Sequence, residues 1–144
     1  MIRAARPADI GELINLSLEA LEIDAYEELR IDPGRVRFYV TEVVTAACNL
    51  FLVSEIDNEI VGGLAALITP NLFHERSQAS ILMWYCRSGG EGGFLMKRFL
   101  KWAQRRPMIK HIQWTSERKF DQRQVDFMLG RGFKNDMIFL SKVN

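Results

Sequence analysis

Cysteine and histidine are both scarce: the 144 residues contain two cysteines, Cys48 and Cys86, and two histidines, His74 and His111. No C-x-x-C pair exists and no histidine stands beside either thiol, which argues against a metal centre and against a disulfide framework. Apolar neighbours make buried free thiols the expectation for both cysteines. The sharper alternative is a nucleophilic Cys86, acidified by nearby helix amides, although neither histidine is placed in sequence to act as its base. An excess charge of one sign is also missing. A formal net charge of +1 gives no general attraction to nucleic acid or to a membrane surface. No apolar run approaches the roughly 20 residues of a spanning helix, and Met1 to Pro7 lacks the apolar core of a signal peptide. A cytoplasmic protein with no metal, no nucleic-acid partner and no membrane partner is expected.

What is present is material for one core. With 48% hydrophobic and 26% charged residues, residues 1–144 read as a single globular domain. Ile2 to Ala5 is a short apolar start. Pro7-Ala8-Asp9 opens a helix to about Ile23, with Ile10, Leu13, Ile14, Leu16, Leu18 and Leu21 on a broad face. Asp32-Pro33 announces a second helix that fades near Cys48. Leu50–Ile56 and Ile60–Ile68 flank Asp57-Asn58 and predict a hairpin. Thr69-Pro70-Asn71 is expected to break the second strand. Another strand from Ala79 to Cys86 leads into a glycine-rich turn. The following helix places Leu95, Phe99, Trp102 and Ala103 on one side and ends at Pro107. Ile109–Thr115 predicts a strand, Gln122–Gly130 a short helix, and Phe133–Val143 a last strand or hairpin.

The segment Arg87-Ser88-Gly89-Gly90-Glu91-Gly92-Gly93 carries the chemistry. A strand, a glycine-rich turn and a helix start bring main-chain N–H groups and a partial positive charge to one place, which suits a phosphorylated ligand. A Walker loop would end in Gly-Lys-Ser/Thr, and a Rossmann fingerprint would place G-x-G-x-x-G early in a βαβ unit. Neither occurs. Arg87-x-x-Gly90-x-Gly92, followed by Leu95, resembles the Q/R-x-x-G-x-G/A signature of the GCN5-related N-acetyltransferase (GNAT) family. Ile2 to Ile10 resembles the family's opening, Glu59-Ile60-Val61-Gly62-Gly63 its third strand, and Gly132-Phe133-Lys134 its Gly-Phe signature. The element order βααβββαβαβ is similar to that family's along essentially the whole chain. The double-glycine loop with Trp102-Ala103 is particularly similar to bacteriophage-encoded members.

The resemblance implies an α/β fold with a mixed, largely antiparallel central sheet flanked by helices. It also implies an acetyltransferase using acetyl-CoA and a primary amine acceptor. The amides of Ser88, Gly89, Gly90, Glu91, Gly92 and Gly93 would then carry the pyrophosphate, and Arg87 would add charge. The main chain of Trp84, Tyr85 and Cys86 would pair with the pantetheine arm. Lys97, with Arg98 and Lys101, would supply a basic field, although cations late in a helix also complement its dipole. Acceptor selection would fall to Glu22–Val44 and Pro70–Gln78, with Tyr26, Glu27, Glu28, Arg30, Phe73, His74, Glu75 and Arg76 as candidates.

One departure concerns catalysis. Family members often place a tyrosine acid in the helix before Gly-Phe, whereas Val125 to Arg131 contains none. Tyr85 and then Ser116 are the remaining candidates for the acid, and Glu55, Glu75 or His74 for the base. The short proline-containing link that often joins the fourth strand to the loop is also absent. Two other classes stay open: a catalytically silent acyl-CoA-binding or structural module, and a nucleic-acid-binding domain using Lys97–Lys110. A homodimer through an edge strand is left open.

Overall fold

The computed structural model describes residues 1–22, 30–87, 89–115 and 121–135. Strand β1 (Ile2–Ala4) and one 3₁₀ turn (Pro7–Asp9) precede helices α1 (Ile10–Leu21) and α2 (Pro33–Thr45). Strands β2 (Leu50–Ile56), β3 (Glu59–Pro70) and β4 (Ser77–Cys86) follow, then α3 (Gly92–Gln104), β5 (Ile109–Trp114) and α4 (Gln122–Leu129). Among the described residues, five strands form one sheet in the order β1-β2-β3-β4-β5. All neighbours are antiparallel except β4 and β5, which are parallel and joined through α3.

Local chemistry sets the boundaries. Asp32 caps α2 by accepting hydrogen bonds from the N–H of Gly34 (2.8 Å) and Arg35 (3.3 Å), and such caps contribute about 1 kcal/mol. Asp57 and Asn58 both adopt positive φ, 50° and 65°, as a two-residue turn matched to strand twist requires. Strand β2 alternates between two cores. Leu50 and Leu52 pack with Leu95, Met96 and Phe99 of α3 and Met128 of α4. Phe51 and Val53 pack with Leu13, Ile14 and Leu16 of α1 and Val40 and Val43 of α2. Helices therefore cover both faces, which is why this strand is apolar at consecutive positions.

Several sequence expectations are corrected. Strand β3 runs through Thr69 to Pro70, where Pro70 pairs with Ser77 at the strand's end rather than breaking it early. Helix α3 begins at Gly92, so Gly92 and Gly93 form its first turn. Met96, not Trp102, completes its buried face; Trp102 stacks on Phe99 at 6.0 Å and carries the Arg106 guanidinium 4.0 Å from its ring centre. Cys48 is exposed rather than buried, because α2 stops at Thr45 and Cys48 lies in the turn before β2. The last predicted strand, Phe133–Val143, falls largely outside the described residues.

Candidate active site

The site grows from an irregularity in β4. Ala65 pairs with Met83 but Ala66 pairs with Ile81, so Leu82 is an extra residue, a β-bulge. Bulges bend and twist a strand and weaken its alignment with a neighbour. The parallel pairing of β4 with β5 ends at the same point, with Ile81 opposite Trp114. Beyond it, Met83 to Cys86 stay paired with β3, while their other edge has no strand partner among the described residues. Just past this point Trp84 packs its ring 5.8 Å from Trp114 and 5.7 Å from Phe127 of α4. The open edge presents main-chain polar groups, and Gln124 of α4 donates to the Trp84 carbonyl at 3.2 Å.

This edge leads into the glycine loop. The Arg87 N–H bonds Val61 O at 2.8 Å and the Gly90 N–H bonds Arg87 O at 3.0 Å. Gly89 takes φ +83°, a conformation disfavoured with a Cβ. Trp84 Nε1 donates to Gly92 O at 2.9 Å, fixing the start of α3 to β4. Glu91 occupies the N-cap yet makes no capping bond. Its carboxylate turns away to the Ser54 hydroxyl (3.5 Å) and the Met1 ammonium (3.4 Å). The first-turn N–H groups of Gly92, Gly93 and Phe94 thus have no acceptor among the described residues, at the positive end of the helix dipole.

The glycines have different reasons. A Cβ on Gly62 would clash with Cys86 Sγ, and one on Gly90 would lie 2.8 Å from Cys86 Cβ. Those two positions make room for Cys86. A Cβ on Gly92 meets nothing closer than 3.6 Å, so packing within the protein does not require glycine there. A side chain at Gly92 would stand beside the uncapped N–H groups, where close approach of a pyrophosphate would need none.

Charge is arranged across β4. Tyr85 Oη donates to Glu19 Oε1 at 2.7 Å, and Arg87 Nη2 to Glu19 Oε2 at 2.7 Å. Arg87 Nη1 also reaches Ile60 O at 3.2 Å. Arg87, and next Tyr85, hold the Glu19 carboxyl below its ordinary range. Cys86 goes the other way: burial, then the charge of Glu91, pushes its thiol up to about 11. A raised thiol speaks against the alternative of an acidified Cys86 nucleophile.

The sequence matches no family model and no curated protein. Solved structures do match. An aminoglycoside acetyltransferase from an uncultured soil metagenomic sample aligns with TM-score 0.70 at 17% identity, covering 100% of this chain and 97% of that one. The ribosomal-protein-alanine N-acetyltransferase of Brucella melitensis biovar Abortus 2308 aligns with TM-score 0.70 at 13% identity over 99% of each chain. The chain has the GNAT fold. A transcriptional regulator from Bacillus halodurans C-125 also aligns, with TM-score 0.69 at 22% identity over 100% and 99%. Sharing the GNAT fold therefore does not by itself assign an activity.

Within this GNAT fold, Trp84, Tyr85, Cys86, Arg87 and Gly89 to Gly93 meet at one end of the open edge, and Lys97 lies over the Phe94 ring at 5.1 Å, near the start of α3. Arg87 belongs to the cluster by its main chain; its guanidinium faces α1. Glu55 is held by Arg3, whose Nε donates to Glu55 Oε2 at 2.7 Å while its Nη1 binds Asp9 Oδ2 at 2.7 Å. Phe73, His74 and Glu75 sit in the turn before β4, about 30 Å from Cys86 at roughly 3.3 Å per residue along the strand. Ser88, Ser116, Tyr26, Glu27 and Glu28 lie outside the described residues. Glu19, Gln124 and the Leu82 bulge escaped the sequence reading. Glu19 is an ordinary polar position of an amphipathic helix, and a bulge leaves no mark in alternation this short. Met128 is α4's buried side chain, so no phenol enters from that helix.

Proposed function

We propose that this protein is an N-acetyltransferase that moves the acetyl group of acetyl-CoA to a primary amine of a small molecule, peptide or protein. The supporting observation is the open edge of β4 running from the Leu82 bulge to the uncapped start of α3. Acetyl-CoA supplies an activated thioester. The main chain from Leu82 to Cys86 offers donors and acceptors to an extended amide-bearing arm, once Gln124 yields the Trp84 carbonyl. The N–H groups of Gly92, Gly93 and Phe94 suit the pyrophosphate, with Glu91 turned aside and Lys97, Arg98 and Lys101 adding positive field along α3. A β4 amide near the bulge is the donor for the developing oxyanion.

Proton handling follows from the contacts. Glu55 is committed to Arg3 and drops out as base. Tyr85 presents its hydroxyl to Glu19 on the α1 face of the sheet, so it orients β4 while solvent protonates the departing thiolate, a fairly good leaving group. No helix among the described residues is long and apolar enough to cross a membrane, and use of acetyl-CoA fits a cytoplasmic setting. The test is calorimetric titration with acetyl-CoA followed by an amine panel. Micromolar binding with turnover is expected.

A second reading, a silent acyl-CoA-binding module, is favoured by Met128 filling α4's inward position. Binding without transfer to any amine would select it.

A further inference from the structure

Helix α4 is anchored against the open edge of β4 by groups other than its glutamines. The Phe127 ring stands 5.7 Å from the Trp84 ring, and a Cβ on Gly93 would come 3.2 Å from Phe127, so this side chain touches both the strand and the first turn of α3. Met128 is buried in the core cluster with Leu95 and Phe99. The Arg131 guanidinium lies 3.4 Å from the Phe127 ring centre, and Asp121 caps the start of the helix by accepting from the Arg123 N–H at 3.0 Å.

Gln124 is three residues before Phe127 and four before Met128, on the same face of the helix. Its Nε2 donates to Trp84 O at 3.2 Å. Gln122, by contrast, is spent along the helix, with Nε2 donating to Asp126 Oδ1 at 2.7 Å. The carbonyl that Gln124 takes belongs to the open edge. The Arg87 N–H points to β3, where it meets Val61 O at 2.8 Å, and the two-residue alternation of a strand then turns the main chain of Tyr85 to β3 and that of Trp84 and Cys86 to the open side. The Gln124 side chain ends in a carboxamide, the same donor that an amide of an extended ligand arm would bring to this carbonyl. The half-buried Gln124 thus makes from within the chain the bond that such an arm would make from outside.

We infer that Gln124 holds the place of the cofactor's arm in the free protein, and that its displacement sets the affinity for the arm of acetyl-CoA but not for the phosphates. This rests on the acetyltransferase reading. The full-length wild type and Gln124→Ala are titrated in the calorimeter with acetyl-CoA and with 3′-phospho-ADP, which is the nucleotide end of the cofactor without the arm. Removing a bond that must be broken on binding should tighten acetyl-CoA roughly two- to tenfold and leave the affinity for 3′-phospho-ADP unchanged. Equal or weaker acetyl-CoA binding by the variant would overturn the inference while leaving the acetyltransferase reading in place. So would the same gain for both ligands, because a general effect on the fold or on the phosphate end would then be the cause. Failure of both proteins to bind acetyl-CoA would overturn that reading and the inference with it.

Discussion

Glu19 and Arg87 are 68 positions apart in the chain, yet their side chains form a two-pronged ion pair, with Arg87 Nε 3.0 Å and Nη2 2.7 Å from Glu19 Oε2. The pair ties the last turns of α1 to the residue that begins the glycine loop. It also turns toward α1 the guanidinium that the loop motif would otherwise present to phosphate. In the proposed cofactor complex, the main-chain amides and the helix dipole rather than this arginine would therefore hold the phosphates.

Glu19→Gln should loosen the loop without removing its donors. Because the Glu19 pKa is lowered in the folded protein by Arg87 first and Tyr85 next, the stabilisation is fully present above the ordinary glutamate pKa of 4.5 and is lost as pH falls through the lower folded value. Half-exposure of both side chains keeps the effect small. Denaturant midpoints of wild type and variant should differ at pH 7 and converge as pH falls through the lowered folded value; a gap that widens on acidification would contradict the pairing.

Glycine substitutions should separate packing from binding. Gly62→Ala places a Cβ into Cys86 and should destabilise by about 1–3 kcal/mol, read in chemical denaturation. Gly92→Val places its Cβ in ordinary contact with Cys86 and Trp84, no closer than 3.6 Å, and should leave the fold largely intact while abolishing acetyl-CoA binding in calorimetry. Full affinity in the valine variant would remove this helix start from the cofactor site.

The two thiols should differ sharply toward iodoacetamide. Cys48 is exposed, whereas the Cys86 thiol is pushed up to about 11, so little thiolate exists at Cys86 at pH 8. Mass spectrometry of the native protein should find a single label, on Cys48. Equal labelling of both would mean that Cys86 is accessible and acidic.

Tyr85→Phe should keep acetyl-transfer turnover within a few-fold of wild type, if solvent protonates the thiolate, while lowering the melting temperature through the lost bond to Glu19. A large fall in kcat with unchanged acetyl-CoA affinity would restore Tyr85 as the proton donor.

Trp84→Ala should cost about 3–5 kcal/mol, the usual loss for a buried aromatic, and should remove the contacts with Trp114, Phe127 and Gly92 O together. Circular dichroism during unfolding measures the loss. A change below about 1 kcal/mol would show that these contacts contribute little to the fold.

Much of this protein was determined locally and is readable in its residues. Asp32-Pro33 sets the start of α2 because its cap and fixed φ act within three residues. Asp57-Asn58 sets the hairpin because positive φ is a property of those side chains. The 3.6-residue spacing of Leu95, Phe99 and Ala103 sets the buried face of α3, and the glycine pattern marks the loop. What only the tertiary structure decided are relations between segments distant in sequence. The bulge at Leu82 and the end of β4–β5 pairing lie beside Trp84, which packs against two later elements. The clamp of Glu19 on Arg87, the shelter of Cys86 under Gly62 and Gly90, and the reach of Gln124 to the Trp84 carbonyl all join groups whose neighbours in sequence carry no trace of the meeting. Caps and turns are short-range and leave a signature in composition; ion pairs, ring contacts and bonds to a strand edge depend on distances that exist only after the sheet has assembled.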